Sequence, residues 1–176
     1  KVLLAAAALE NDVIQPDDTF ECDGQFKAGG KPITCWGRYG IQGHGTVDLQ
    51  KMVAMSCNVA AAKIALELGA QRYVEFLKDA GIGSFPRSGL PGETAGRLRH
   101  AQNMPKRDLA SLGFGQGLSV SPLQISAAIS TLANDGLRVR PSIIHSVLDR
   151  DGSTVWEPKT PPDERICSRQ TARAVL

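Results

Sequence analysis

Ser56, Cys57 and Asn58 form a hydroxyl–thiol–amide triplet between two stretches of helical periodicity. A serine hydroxyl can relay a proton between reacting groups, and an asparagine amide can donate hydrogen bonds to the backbone of a bound substrate. Ser and Asn are also common helix caps. The triplet therefore indicates either a catalytic site or a helix cap, and the surrounding sequence has to decide between them.

The chain has four cysteines, Cys22, Cys35, Cys57 and Cys167, for which three complete disulfide pairings exist. No CxxC pair and no Cys/His cluster has the sequence spacing of a zinc site. Buried free thiols and disulfide bonds both remain open, the bonds on condition that the domain lies outside the cytoplasm. We expect neither a metal ion nor another cofactor.

The composition is that of a domain with a mixed-charge surface. The chain has 176 residues, 42% of them hydrophobic and 22% charged, and a net charge of +2. Lys and Arg are scattered, so nucleic-acid binding is not predicted. The apolar run from Val2 to Leu9 is far shorter than the roughly 20 residues of a membrane span. Because helical patterns are already under way at Lys1 and still running at Leu176, we expect a domain truncated at both ends.

The segments that must position the triplet are mostly helical. Asp48 would be favourably placed in the first turn of a helix capped by Thr46, and Gly69 would end the helix that follows the triplet. The predicted segments are a helix over 1–10, extended structure with turns over 17–36, a glycine-rich loop over 37–45, and helices over 47–55, 59–68 and 72–80.

The second half of the chain begins with a long predicted loop over 83–107, which contains three prolines and several glycines. The tetrapeptide Ser121-Pro122-Leu123-Gln124 predicts a helix start, because serine caps, proline suits the first turn and Gln124 completes a capping box. This helix should run to Asn134. A hairpin over 142–149 and 153–157 and a helix from Ser168 complete the prediction.

Three runs of sequence resemble the class B penicillin-binding proteins, the monofunctional transpeptidases of bacterial division, elongation and sporulation. The segment around the family's second motif is similar to GHGTVDLQKMVAMSCNVAAAKIALELG, and a later stretch is similar to GFGQGLSVSPLQISAAISTLANDG. The opening run, KVLLAAAALENDVIQPDDTF, looks like the end of the Ser-x-x-Lys box, with Lys1 as its lysine. The resemblance covers nearly all of the chain, in the family's order and spacing.

The fold implied by this resemblance is α+β, with a helical lobe beside the central antiparallel sheet of the penicillin-binding transpeptidase and serine β-lactamase-like fold. Residues 1–176 would be a partial transpeptidase domain that supplies most of the helical lobe and part of the sheet. Because the sheet that covers the helices would be largely absent, we expect the isolated chain to have limited stability.

The resemblance also assigns catalytic roles to Lys1, Ser56 and Asn58. A serine three positions before the lysine would be the nucleophile, and a neutral Lys1 would take its proton. Ser56 would relay a proton to the leaving amine, and Asn58 would hold the substrate and the lysine. The chain contains neither that serine nor a Lys-Thr/Ser-Gly box; the nearest run, Lys159-Thr160-Pro161, lacks the glycine. We therefore expect this chain alone not to react with a fluorescent penicillin.

Two further residues are implied as substrate-binding. Trp36 would line the groove, although a packed indole is an equal alternative, and Gln116 would border the cleft, although its glycines also suit a simple tight turn. His44 is interpreted as a structural loop histidine because the family uses a lysine base. If Cys35 folds beside Cys57, the two thiols could form a redox-sensitive bridge across the site, with free thiols as the alternative.

The implied activity of the full-length protein is acyl transfer from D-Ala-D-Ala stem peptides, which cross-links the cell wall. The implied partners are peptidoglycan stem peptides, β-lactam antibiotics, and a membrane glycosyltransferase or other division or elongation proteins. The implied location is the extracytoplasmic face of the plasma membrane, through an anchor that this chain does not contain. The alternatives are a serine β-lactamase or D,D-carboxypeptidase, a β-lactam sensor domain, and a non-catalytic scaffold.

Overall fold

The computed structural model describes residues 1–35, 42–159 and 162–176. Within these residues, helices and short antiparallel strand pairs alternate, as the α+β prediction required. In chain order the elements are α1 (Val2–Glu10), β1 (Phe20–Cys22), β2 (Gln25–Phe26), β3 (Ile33–Thr34), β4 (Gly45–Val47), α2 (Leu49–Ala54), α3 (Asn58–Leu68), α4 (Ala70–Asp79), α5 (Lys106–Gly113), α6 (Pro122–Ala133), β5 (Val147–Leu148), β6 (Thr154–Trp156) and α7 (Arg169–Ala174).

Helix α1 forms the centre of the hydrophobic core. Its residues from Leu4 to Ala8 are at most 1% exposed, and it packs against α3, α4 and α7. Alanine has the highest helix propensity and a side chain small enough to let neighbouring helices approach closely. The predicted helix is confirmed, and it starts directly after Lys1, which places that lysine at the helix N-terminus.

The strands form three two-stranded antiparallel sheets, β1 with β4, β2 with β3, and β5 with β6. The last pair is the predicted hairpin across residues 150–152. Thr46 does not cap a helix as predicted: it lies in β4 opposite Glu21, and its hydroxyl donates to the Glu21 carboxylate at 2.7 Å. Asp48 takes the capping role instead, since its carboxylate accepts from the Lys51 backbone N–H at 2.7 Å.

The loop after α4 is anchored by the start of α6. The predicted capping box is present, with Ser121 as the N-cap and Gln124 as its partner. The Gln124 amide, which is buried, also donates to the carbonyl oxygens of Ser84 at 2.9 Å and Ala95 at 3.0 Å. The loop is therefore ordered by α6. It ends at Pro105, where the unpredicted helix α5 begins and packs along α3.

The first and last helices of the described structure are joined by a hydrogen bond. Ser168 caps α7 as predicted, and its backbone N–H donates to the carboxylate of Glu10 at the end of α1, at 2.9 Å. Among the described residues, none of the helices has the length and apolarity that crossing a membrane requires.

Candidate active site

Lys1 and Ser56 meet at the N-terminal ends of two core helices. The Lys1 Nζ amine donates a hydrogen bond to Ser56 Oγ at 2.9 Å, although 55 positions separate the two residues. Lys1 precedes α1, and Ser56 lies in the turn between α2 and α3, which pack around the same core. The fold therefore joins an amine and a hydroxyl that can exchange a proton.

The turn that carries Ser56 has an unusual backbone. Ser56 has a φ of 52°, in the left-handed region, although it is not a glycine. For an L-residue this conformation costs about 1–2 kcal/mol, and such residues concentrate at functional sites. The turn is held by backbone hydrogen bonds, from the Ser56 N–H to the Val53 carbonyl at 3.2 Å and from the Cys57 N–H to the Met52 carbonyl at 2.9 Å.

Burial lowers the pKa of the Lys1 amine from its ordinary value, because desolvation disfavours the charged form. Negative charge on Cys57 and Cys35 would act in the opposite direction and is the smaller influence. A lowered pKa increases the fraction of neutral amine, which is the form that can accept a proton. The arrangement can therefore provide a general base at Lys1.

The helix-cap interpretation of the triplet applies to its middle residue. Cys57 is the N-cap of α3, and its Sγ accepts from the Ala60 backbone N–H at 3.3 Å. The Asn58 side chain donates to the Thr34 carbonyl oxygen at 3.1 Å, at the end of β3. The capping bond is made by Cys57, so the Ser56 hydroxyl can accept the hydrogen bond from Lys1. Asn58 connects the triplet to β3.

Three of the four cysteines lie close together, and one of them is Cys57 of the triplet. Cys35 Sγ lies 3.5 Å from Cys22 Sγ and 3.6 Å from Cys57 Sγ, and all of the cysteines are free thiols. The juxtaposition of Cys35 and Cys57 required by the bridge hypothesis is thus present, without a bond. Burial raises the pKa of Cys57 to about 12 and also raises that of Cys35. At Cys22 burial acts in the same direction, but hydrogen bonds from the backbone of Gly24 and His44 and from the other two thiols together outweigh it and lower the pKa.

His44 joins this cluster, with its Nδ1 atom 3.5 Å from Cys22 Sγ. This grouping of a histidine with Cys22, Cys35 and Cys57 was not predicted from sequence, where no metal ligands were expected. The four residues belong to different strands and turns, so no short spacing pattern revealed them. The presence of three cysteines around a loop histidine was the only signal available.

The described contacts do not test the two predicted substrate-binding residues, Trp36 and Gln116. Trp36 lies outside the described residues. Gln116 is exposed in the turn after α5, where its backbone N–H donates to the Ser111 carbonyl at 3.0 Å. Both roles stay predictions.

A cavity lies elsewhere in the described part of the chain. It has a volume of about 880 Å³ and is formed between the loop after α4, α6 and residues 138–142, with Lys159 at its edge. Neither Lys1 nor Ser56 lines it. Because the paired reactive groups define the chemistry, we place the candidate active site at Lys1 and Ser56 and not at this cavity.

Comparison with known proteins identifies the family of the chain. Residues 1–176 match the family described as the penicillin binding protein transpeptidase domain. The chain therefore belongs to the penicillin-binding protein transpeptidase family, and the family resemblance predicted from sequence is confirmed.

Two relatives cover two thirds or more of the chain. It is 35% identical to the penicillin-binding protein PbpB of Mycolicibacterium smegmatis over 99% of its own length and 26% of the relative's length. It is 31% identical to the probable peptidoglycan D,D-transpeptidase PenA of Neisseria meningitidis over 68% of its length and 21% of the relative's. The chain thus spans about a quarter of the length of these relatives.

The fold is also that of a solved relative. The structure of penicillin-binding protein 3 from Mycobacterium tuberculosis, complexed with aztreonam, superposes with a TM-score of 0.87 at 32% identity. The match covers 99% of this chain and 38% of the solved chain. The predicted fold class is therefore confirmed.

Proposed function

We propose that the protein containing this chain is a serine-type peptidoglycan D,D-transpeptidase, which acts at the extracytoplasmic face of the bacterial plasma membrane. The observation that carries the proposal is the hydrogen bond between the Lys1 amine and the Ser56 hydroxyl in a member of the penicillin-binding transpeptidase family. The relative from Neisseria meningitidis, named as a probable peptidoglycan D,D-transpeptidase, supports the same reaction.

In the first step, a serine three positions before Lys1, a position that this chain does not include, attacks the carbonyl carbon of the penultimate D-alanine. Lys1 in its neutral form accepts the proton of that serine. The protonated amine then passes a proton to Ser56 Oγ, whose own proton goes to the departing nitrogen. The C–O bond to the serine forms, the C–N bond breaks, and D-alanine leaves as a neutral amine.

In the second step, the amine of a neighbouring stem peptide attacks the acyl-serine ester. Its proton returns through Ser56 and Lys1 to the serine oxygen, so the two residues reverse their roles. A β-lactam would acylate the same serine but retain its leaving amine in the ring-opened product. Asn58, which is linked to the end of β3, would hold the substrate backbone from the side of that strand.

The remaining assignments extend this reaction to the rest of the protein. Trp36 and Gln116 would border the groove that binds the stem peptide. The full-length protein would be membrane-anchored and would work with a membrane glycosyltransferase and with division or elongation proteins. These expectations follow from the family of the chain.

The test uses the full-length protein and a fluorescent penicillin, with the rate of covalent labelling as the measurement. Replacing Lys1→Gln or Ser56→Ala should lower this rate by about 100- to 10,000-fold, the usual contribution of general acid–base catalysis. The matched control is Lys51→Gln, in which an exposed lysine of α2 is replaced by glutamine, as in Lys1→Gln. The control should label at the wild-type rate.

A second assay identifies the acceptor. The protein is given a D-Ala-D-Ala stem peptide and an amino acceptor, and the products are separated by mass. Transfer to the amine supports the transpeptidase, whereas hydrolysis alone would indicate a carboxypeptidase. Stable acylation without turnover would indicate a sensor. Unreactive wild-type protein would indicate a scaffold, and any of these three results overturns the proposal.

A further inference from the structure

Four potential ligand atoms for a metal ion converge at the Ser56–Asn58 triplet, and its middle residue supplies one of them. They are contributed by three cysteines and one histidine, and all lie within 4.8 Å of one another. These residues, from here on the cysteine–histidine cluster, are Cys22 at the end of β1, Cys35 after β3, His44 before β4 and Cys57 at the N-terminus of α3.

Three of the six separations among the four atoms match the edges of a zinc-centred tetrahedron, and all six are within 4.8 Å. Zinc–sulfur and zinc–nitrogen bonds of about 2.3 and 2.05 Å place two sulfur ligands about 3.8 Å apart, and a sulfur and a nitrogen about 3.6 Å apart. The observed separations are 3.5 Å for Cys22 and Cys35, 3.6 Å for Cys35 and Cys57, and 3.5 Å from Cys22 Sγ to His44 Nδ1. We infer that the cysteine–histidine cluster is a zinc site.

The ligand set agrees with this metal. Three thiolates and one imidazole form a complete four-coordinate shell, the arrangement of a closed structural zinc site. The cluster includes no carboxylate, whereas Mg²⁺ and Ca²⁺ prefer oxygen ligands. Cys22, Cys35 and Cys57 are 0%, 4% and 0% exposed. Water therefore has little access to the sulfur side of the site.

The backbone around the cluster is arranged to hold the ligands in place. The His44 N–H donates to the Cys22 carbonyl at 3.0 Å, and the Cys35 N–H donates to the Gly24 carbonyl at 2.9 Å. At Gly43, where φ is 73°, a Cβ atom would stand 1.9 Å from the Cys22 carbonyl oxygen. Only glycine permits this close approach, which brings the histidine against β1.

Ligation would have a direct consequence for the candidate active site. Cys57 lies between Ser56 and Asn58, so a bond from its sulfur to zinc would fix the triplet to β1 and to the end of β3. The left-handed conformation of Ser56 would be held by the same bond. The zinc ion would be structural, with the cluster acting as a positioning element for Ser56.

The zinc site and a disulfide between Cys35 and Cys57 exclude each other. Forming that bond removes two protons and two electrons, requires a thiol-oxidising partner such as another disulfide, and takes two of the four ligands. The bond would leave Cys22 and His44 without the other half of the shell. Finding the Cys35–Cys57 disulfide in the native protein would therefore contradict the zinc site.

The test is elemental analysis of the full-length protein, purified without chelators and freed of loosely bound metal by gel filtration. The expected zinc content is about one ion per chain, since one complete shell is present. Cys22→Ser and His44→Ala should lose the zinc. His44→Asp should retain it better than His44→Ala, because a carboxylate oxygen can take the position of Nδ1. The control Cys167→Ser removes a buried thiol outside the cluster and should keep its zinc.

A second measurement uses only wild-type protein, so it remains possible if the variants do not fold. Native wild-type protein is treated with an alkylating reagent before and after zinc is extracted with a strong chelator. Cys22, Cys35 and Cys57 should react only after extraction, as identified by peptide mass. The inference is overturned by wild-type protein without zinc, by a peptide mass showing a Cys35–Cys57 bond, or by zinc retained equally in Cys22→Ser and His44→Ala.

Discussion

Gly113 in α5 lies directly against the backbone of Ala61 in α3. A Cβ atom at position 113 would stand 2.7 Å from the Ala61 carbonyl oxygen and 2.6 Å from the Cβ of Ala65. Because α3 begins at Asn58, this contact between α3 and α5 helps to hold the helix that starts with the last residue of the triplet. The contact is therefore part of what positions the candidate active site.

Replacing Gly113→Ala should destabilise the domain by about 1–3 kcal/mol, the usual cost of overpacking, because a methyl group would push α5 away from α3. Urea unfolding of the full-length protein, followed through the transition of this domain, measures the loss. Lys106→Ala, an exposed change in the same helix, is the control and should alter stability by less than about 0.5 kcal/mol. A Gly113→Ala protein as stable as the wild type would contradict the close contact.

Ser56→Gly should separate the stability of the turn from its chemistry. Glycine adopts the φ of 52° observed at position 56 without steric cost. The gain of about 1–2 kcal/mol from relieved strain is reduced by the larger backbone entropy of glycine in the unfolded chain. We therefore expect equal or slightly higher stability than wild type, together with penicillin labelling as slow as that of Ser56→Ala.

The comparison with Ser56→Ala makes this prediction specific. Alanine removes the hydroxyl but keeps the strained backbone, so it should be less stable than the glycine variant by thermal unfolding. If Ser56→Gly labels at the wild-type rate, the hydroxyl has no part in the proton relay. If it is less stable than Ser56→Ala, the left-handed conformation is not a source of strain.

The features that the sequence predicts well are encoded by neighbouring residues. The alanine-rich run of α1 and the Ser121–Gln124 capping box depend on local preferences, and both elements form as expected. Helix α5 was missed because its N-cap, Pro105, makes no side-chain capping hydrogen bond that would mark its start. Thr46 was misassigned because its strand depends on pairing with Glu21, a partner distant in sequence.

The candidate site shows the same division between local and long-range information. Lys1 and Ser56 could be predicted as catalytic from the family resemblance. Only the fold brings Lys1 Nζ to within 2.9 Å of Ser56 Oγ. The cysteine–histidine cluster has no local sequence pattern, and the sequence predicted at most a bridge between two of its members, Cys35 and Cys57. Its ligands come together through backbone pairing of strands and turns around β1, which composition and periodicity do not specify.

Replacing Gln124 should reduce the order of the loop after α4 more than most other substitutions would. Its buried amide donates to the carbonyls of Ser84 and Ala95, and its Oε1 atom accepts from the Ser121 N–H at 2.8 Å. Gln124→Ala would leave these groups unsatisfied, at a cost of about 1–3 kcal/mol for each one that stays buried. Hydrogen exchange of residues 83–105 should speed up markedly in this variant.

The control for this prediction keeps one of these three hydrogen bonds. Gln124→Glu can still accept from Ser121, but its carboxylate would face the carbonyls of Ser84 and Ala95. The start of α6 should then stay protected from exchange while the loop loses protection. Equal protection of the loop in the wild type and in both variants would show that α6 does not anchor it.

The pH dependence of acylation should report the protonation of Lys1. Burial lowers the pKa of its amine below the ordinary value of 10.5, and only the neutral amine can accept the proton of the nucleophile. The rate of labelling by penicillin in the full-length protein should therefore be low when Lys1 is protonated, rise with pH through this lowered pKa, and level off above it. Lys1→Arg should abolish the rise, because a guanidinium stays protonated throughout. An ascending limb with its midpoint at or above 10.5, or one that persists unchanged in Lys1→Arg, would show that another group is the base.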